Sequence, residues 1–250
     1  FFIKDAIKRG SEIIITDKFK INGWKNNVLF LNDKNPRNLL AKFSSKIFNK
    51  KPNNLIAVTG TNGKSSIANF YFQILTLNRI KVASIGTLGV TGLKVSENFS
   101  NTTFDTIQIN KILKKLKERR IENVILEASS HGLNQNRLDG LEFDIGIFTN
   151  LTRDHLDYHK TFKNYFNSKL ILFKKLLKKK SYAIYDNDLK ISTDLNKITR
   201  LNKIKKITLG NTKSSFVIIN HEFLKDEQRI TFRFNKKQYS FSTKLIGRVQ

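Results

Sequence analysis

The chain has 250 residues, no cysteine, no methionine and a formal charge of +26. Without Cys there is no disulfide framework, thiolate nucleophile or Cys-based zinc site, and no segment reaches the roughly 18 apolar residues of a membrane span or signal anchor. So high a charge ordinarily suggests nucleic acid, but the lysines are scattered through every segment among Asn, Ile and Phe, which a general compositional bias explains equally well.

Residues 1 to about 48 alternate helix-like and strand-like pieces. An amphipathic opening is followed by a strand at Glu12-Ile13-Ile14-Ile15-Thr16 and another at Val28-Leu29-Phe30-Leu31. Pro36 suits the first turn of a helix that carries Leu39, Leu40, Phe43, Ile47 and Phe48 inward. Two strands and two helices make an incomplete domain. The missing Met likewise predicts a chain that begins inside a longer reading frame. Lys50-Lys51-Pro52-Asn53-Asn54 is polar and reads as a linker.

From Leu55 onward strands and helices alternate. Strands are expected at Leu55 to Val58, Val82 to Ile85, Val124 to Leu126, Phe143 to Phe148 and Tyr182 to Tyr185, with helices after Ser66, around Ile107 to Leu116, and from about Thr161. That order predicts a mainly parallel sheet covered by helices on both faces, with ligands at the carboxyl ends of the strands. Lys174-Lys175 and Lys178-Lys179-Lys180 are expected at a helix end, where cations complement the dipole. After about Ile204 short alternating strands, Phe216 to Ile219, Arg229 to Phe234 and Tyr239 to Leu245, predict a small antiparallel appendage, with Asn235-Lys236-Lys237 as a turn.

Three strand ends carry chemistry. The first is Gly60-Thr61-Asn62-Gly63-Lys64-Ser65-Ser66, between a buried strand and a helix start. Glycines there let backbone N–H groups approach an anion, the helix dipole favours negative charge, Lys64 reaches outer phosphates and Ser65 offers a hydroxyl to Mg²⁺. Gly60 and Gly63 enclose two residues where the general P-loop has four, so this is a variant. The second is Glu127, which suits Mg²⁺ opposite the phosphate turn or a water-facing strand end equally well. It is followed by the amide and guanidinium donors of Asn134-Gln135-Asn136-Arg137. The third, Thr149 to His159, places two His and two Asp close together, with His155 and His159 at i, i+4. Without a nearby Glu, that spacing says little about zinc. His221 stands apart as an ordinary strand histidine. Lys169 is out of place within the apolar stripe Phe162, Tyr165, Phe166, Leu170, Phe173 and Leu176/Leu177. Either its stem packs while the ammonium reaches water, or it is buried with a lowered pKa and a neutral amine able to react with CO₂.

Taken together, GTNGKSS, EASSHGLNQNR and TNLTRDHLDYHKTFKNYFNSK resemble the Mur ligases, most closely those of MurE type. The resemblance runs from about Asn49 to Leu245-Ile246-Gly247-Arg248, and more loosely over the first 48 residues. Folylpolyglutamate synthases share a GTNGK loop but lack SSHGL and DHLDYH. The resemblance implies an α/β fold: the P-loop-type, mainly parallel central domain over 49–250 with a small antiparallel sheet, preceded by a partial α/β N-terminal domain over 1–48 that binds the UDP substrate. It implies ATP held by Gly60 to Ser66, with Mg²⁺ at Ser65, Glu127, His155 and Lys169, the last as a CO₂-derived carbamate. Lys64, Lys169 and His155 would be catalytic. Asn101, Thr102, Thr103, Ser129, Gln135 and Arg137 would hold UDP-N-acetylmuramoyl-L-alanyl-D-glutamate, although Phe104 replaces the proline that commonly follows the two threonines. The implied reaction joins a diamino acid, meso-diaminopimelate or alternatively L-lysine, to that substrate through an acyl phosphate. The protein would be a cytoplasmic monomer with no nucleic-acid partner and no membrane insertion. Because family members have a uridine-binding start and a third, amino-acid-binding domain, the 250-residue piece is expected to bind nucleotide without completing ligation. A folate-type ligase and a basic nucleic-acid-binding module are the competing readings.

Overall fold

The computed structural model describes residues 2–18, 20, 22–93, 101–211 and 213–245. The Ile246-Gly247-Arg248 end of the resemblance lies outside them. A short helix α1 (Phe2–Lys8) precedes a three-stranded sheet of β1 (Ile13–Thr16), β2 (Gly23–Lys25) and β3 (Val28–Asn32) in the order β1-β3-β2. β1 runs parallel to β3, and β2 antiparallel to it. The unforeseen strand β2 turns into β3 through Asn26 and Asn27, both at positive φ (50° and 61°), the geometry of a tight hairpin turn.

Helix α2 (Pro36–Ile47) starts as expected, with Pro36 in its first turn and the Asn35 side chain accepting from Asn38 N. Its buried face is not the expected one. Leu40, Phe43 and Ile47 are exposed, whereas Ala41 and Ser44 are buried, and Ser44 Oγ donates to Thr106 O (3.3 Å) at the start of α4 (Thr106–Glu118). Small residues set that contact because the helices approach closely; the larger side chains are left on the outer face.

A ten-stranded sheet occupies the rest of the chain, in the order β13-β12-β11-β10-β9-β8-β4-β7-β5-β6. Its parallel centre is β5 (Val82–Gly86), β7 (Asn123–Glu127), β4 (Asn54–Thr59), β8 (Phe143–Phe148), β9 (Leu177–Asp186) and β10 (Lys205–Gly210). At one edge β6 (Gly89–Thr91) adds antiparallel to β5. At the other, β11 (Phe216–Phe223), β12 (Gln228–Phe234) and β13 (Lys237–Thr243) form the expected antiparallel unit. That unit continues the main sheet through a short parallel pairing of β10 with β11. Asn235 and Lys236, at φ 49° and 64°, make the expected turn, and His221 sits in β11 bonded to Gln228.

Strand alternation separates two layers. Leu55, Ala57, Val124 and Leu126 face a large core shared with α4, with α7 (Phe162–Ile171) and with α8 (Ser192–Leu201). Ile56, Val58 and Ile125 face Ala68 on α3 (Lys64–Leu77). Glu127, two residues beyond Ile125, is therefore on the α3 side of the sheet. This alternation brings the second strand-end carboxylate to the first strand-end turn.

The lysine run is also placed differently from expectation. α7 passes into a π-helical turn, Leu172–Leu176, that buries Leu172, Phe173 and Leu176, and β9 begins at Leu177. Lys178 to Lys180 thus lie in a strand rather than at a helix end. Lys178 pairs with Asp144 (2.7 Å), and Lys180 at φ 63° sits in the irregularity that shifts the register from Phe143↔Leu177 to Ile145↔Tyr182. Phe162, expected on the inner stripe, is 41% exposed. Among the described residues no helix is long and apolar enough to cross a membrane.

Candidate active site

The phosphate-type turn sits where expected, between β4 and α3. Gly63 caps α3 in the left-handed region (φ 81°) and supplies no side-chain acceptor to the first-turn N–H groups, which suits an anion there. The turn is strapped to the end of β8. Thr61 N donates to Asn150 O (3.0 Å) and Asn62 N to Asn150 Oδ1 (3.0 Å). Thr149 Oγ1 and Asn150 Nδ2 both donate to Asn62 O (2.6 and 3.2 Å). Gly60 (φ 145°) passes so close to Thr149 that a Cβ would collide with its hydroxyl.

Two lysines meet at one carbonyl of this turn. Lys64 Nζ donates to Gly60 O (3.1 Å) and Thr61 O (2.7 Å), and Lys169 Nζ donates to the same Gly60 O (2.6 Å). Lys169 is 1% exposed, so its ammonium does not reach water. It lies 4.4 Å from the centre of the Tyr165 ring. Burial, reinforced by the Lys64 charge and partly opposed by Asp154, lowers its pKa from 10.5 to about 7. Burial also lowers the pKa of Lys64, against the pull of Glu127 and Asp154. Tyr165 OH lies 3.0 Å from Thr61 Oγ1, which itself donates to Thr152 O (3.2 Å). The phenol thus locks α7 onto the turn.

Opposite these cations, Glu127 is 3% exposed. Its Oε2 accepts from Ser65 Oγ (2.9 Å) and Thr87 Oγ1 (3.0 Å), and its Oε1 from Thr87 N (3.0 Å). The carboxylate lies over the end of β5, where a Cβ on Gly86 would collide with it. Ser66 is exposed on the first turn of α3.

The residues expected to hold the muramoyl substrate also converge. Thr103 Oγ1 donates to Glu127 O (2.8 Å), accepts from Ser129 N (2.9 Å) and lies 2.9 Å from Ser129 Oγ. Ser129 Oγ caps α5 (Ser130–Asn134) by accepting from Gly132 N (3.1 Å). Arg137 reaches Thr103 O (2.5 Å) while Gln135 Oε1 holds its guanidinium (2.7 and 3.1 Å). Thr102 Oγ1 is 3.1 Å from Thr87 Oγ1. Phe104, in the position where proline was expected, is 1% exposed in the main core and anchors the segment. Asn101 is exposed at its outer end.

His155, the remaining member of the expected metal set, lies 6.2 Å from the Tyr165 ring, which Lys169 also contacts. It caps α6 (Leu156–His159) at φ 51°, contacts Asp154 Oδ2 (3.5 Å) and is half exposed. Its ring faces His131 at 4.8 Å, and His131 faces His159 at 5.4 Å. Burial lowers the pKa of both His131 and His159, helped by the neighbouring histidines. His159 Nε2 is buried without a hydrogen-bond partner. Among the described residues no three Asp, Glu, His or Cys side chains form a metal-holding group. The expected set contains only two such side chains, so Ser65, a carbamate on Lys169 and bound phosphate would have to complete it. Sequence reasoning passed over Thr87, named Asn150 only within the 149–159 stretch, and named Tyr165 only on the apolar stripe of its helix. Thr87 directly follows the carboxyl end of β5, the same signal that singled out Glu127.

A family model described as Mur ligase middle domain matches residues 58–250. The UDP-N-acetylmuramoyl-L-alanyl-D-glutamate--2,6-diaminopimelate ligase of Rickettsia bellii is 38% identical over 254 residues, which cover all of this chain and 52% of that protein. The ligase of the same name from Chelativorans sp. is 35% identical over 249 residues, with 51% of its length covered. The chain therefore spans about half the length of the curated relatives it matches. A solved structure of a ligase of that name superposes with a TM-score of 0.82 at 26% identity, over 99% of this chain and 50% of the other. MurF from Thermotoga maritima in complex with ADP superposes at 0.61 and 16% identity, over 96% and 51%, a likeness of fold.

Proposed function

The chain belongs to the Mur ligase family, and on that premise we propose that it is the nucleotide-binding part of an ATP-dependent ligase. The ligase joins meso-diaminopimelate to UDP-N-acetylmuramoyl-L-alanyl-D-glutamate. The observation that carries this reading is the facing pair at the strand ends: Lys64 and Lys169 on the Gly60 carbonyl, and the buried Glu127 carboxylate held by Ser65.

Gly60 to Ser66 bind the ATP phosphates, with Lys64 turning from the loop carbonyls to the outer phosphates. Ser65, Glu127 and His155 would hold Mg²⁺, which would supply charge neutralisation at the phosphates. Lys169 joins them as a carbamate: its neutral amine attacks CO₂, the N–C bond forms and one proton leaves. The lowered pKa provides that neutral amine near pH 7. Thr102, Thr103, Ser129, Gln135 and Arg137 position the substrate, whose carboxylate takes the γ-phosphoryl group of ATP with release of ADP. The amine of the diamino acid then attacks the acyl phosphate, forming the amide and releasing phosphate and a proton. Residues 1–48 contribute to the UDP-substrate side and 49–250 form the ATP side.

Equilibrium titration of the 250-residue chain with ADP in Mg²⁺ tests the nucleotide assignment. Mg²⁺-dependent binding that weakens at least about tenfold in Lys64→Ala is expected, on the scale of a lost charge-assisted contact. No Mg²⁺-dependent nucleotide binding by the folded chain would refute it.

A further inference from the structure

The Glu127 carboxylate and the Thr102-Thr103 segment belong to different halves of the site, one for metal and nucleotide, the other for the second substrate. The Thr87 side chain touches both. Thr87 leaves the end of β5 with its backbone N–H on Glu127 Oε1 (3.0 Å) and its hydroxyl between Glu127 Oε2 (3.0 Å) and Thr102 Oγ1 (3.1 Å).

A hydroxyl has one hydrogen to donate, and an ionised carboxylate only accepts. Thr87 Oγ1 is the donor in both contacts, and its one hydrogen serves one acceptor at a time, so Glu127 Oε2 and Thr102 Oγ1 compete for it. Thr87 lies on the exposed surface of the site and takes no part in the core, so its hydroxyl has no packing role there. Because the two acceptors share that hydrogen, a ligand that engages Thr102 alters the hydrogen bond received by Glu127.

We infer that Thr87 is a positioning residue that orients Glu127 and couples occupancy of the Thr102 segment to cation binding at Glu127 and Ser65. This inference rests on the proposed nucleotide and metal reading of the site. The backbone bond from Thr87 N does not depend on the side chain, so Thr87→Val removes the hydroxyl alone, with nearly the same shape.

The test is Mn²⁺ affinity of the 250-residue chain with ADP present, read by water-proton relaxation, for wild type, Thr87→Val, Thr87→Ser, Thr102→Val and the Thr87→Val/Thr102→Val pair. Thr87→Val is expected to lower Mn²⁺ affinity about tenfold, the scale of a lost hydrogen bond to a charged group. Thr87→Ser should stay within about twofold of wild type, and Thr102→Val, which leaves the Thr87 hydrogen to Glu127 alone, should gain up to about threefold. The pair should match Thr87→Val alone, because Thr102 acts through the hydroxyl already removed. A merely structural role would not produce that non-additivity, and melting temperatures should be unchanged. Wild-type Mn²⁺ binding that Thr87→Val leaves intact, or a Thr102→Val effect that persists unchanged in the pair, would overturn the inference while the nucleotide reading stands. No Mn²⁺ and ADP binding by the wild-type chain would overturn both.

Discussion

Replacing Lys169 by Met makes the buried amine measurable as a pH-dependent stability. The lowering from 10.5 to about 7 corresponds to roughly 5 kcal/mol, at about 1.36 kcal/mol per pH unit. Because Lys169 is 1% exposed, solvent screening does not reduce that figure much. Above pH 10.5 the amine is neutral in the folded and unfolded chains alike and contributes nothing. Between 10.5 and about 7 the unfolded chain binds a proton that the folded chain does not, so stability falls as the pH falls. Below about 7 both states carry the proton, and the full cost is present and constant. Lys169→Met removes this dependence while keeping an unbranched side chain of similar length.

Urea unfolding of both proteins in CO₂-free buffers between pH 6 and 10 gives the difference directly, since every other titrating group is shared. Wild type should gain up to about 1.4 kcal/mol per pH unit over Lys169→Met from about pH 7 upward, with no trend below. Bicarbonate should then alter the wild type alone and produce a ¹³C carbamate resonance, because only the neutral amine reacts. Parallel stabilities from pH 7 to 9.5 would show that Lys169 does not hold a buried, depressed amine, and the argument for its carbamylation would fall with it.

Two further substitutions probe the frame of the site. Gly86→Ala places a methyl group where the Glu127 carboxylate lies; Mn²⁺ affinity in the presence of ADP should fall by about tenfold or more, with a stability loss of about 1–3 kcal/mol on urea unfolding, the usual cost of overpacking. Phe104→Ala empties a side chain that is 1% exposed in the main core and should cost about 3–5 kcal/mol, again by urea unfolding, because this anchor also fixes Thr102 and Thr103.

The parallel centre of the sheet was legible because buried strands announce themselves. β4, β5, β7 and β8 are short apolar runs ending in polar residues, and each appears within two residues of its expected limits. α8 and β10 were missed for the opposite reason. Buried α8 positions include Leu195, Ile198 and Thr199 among Lys, Asn and Arg, and β10 begins with two lysines, so tertiary packing rather than pattern decides both. The inner face of α2 was misassigned because periodicity marks an apolar stripe but not which stripe is covered. There Ala41 and Ser44 allow the close approach to α4.

The site shows the same division more sharply. Strand-end position singled out Lys64, Ser65 and Glu127, and Lys169 was conspicuous inside the apolar stripe of a helix, since a lysine is costly to bury. What joins them is carried by residues with no such cost: Thr87 between Glu127 and Thr102, Asn150 across the Gly60 turn, and Tyr165 against Thr61. Threonine, asparagine and tyrosine occur throughout the chain, and Thr87 and Asn150 are marked only by following the carboxyl end of a strand. The selection of Thr87 and Asn150 comes from the sheet order, which sets β5 next to β7 and β8 next to β4. Adjacent carboxyl ends place Thr87 beside Glu127 and Asn150 beside Asn62. A short polar side chain there completes a hydrogen bond that a larger one would block. The catalytic candidates were therefore readable from chemistry alone, whereas the geometry that couples the phosphate turn to the substrate segment depends on strand neighbours far apart in sequence.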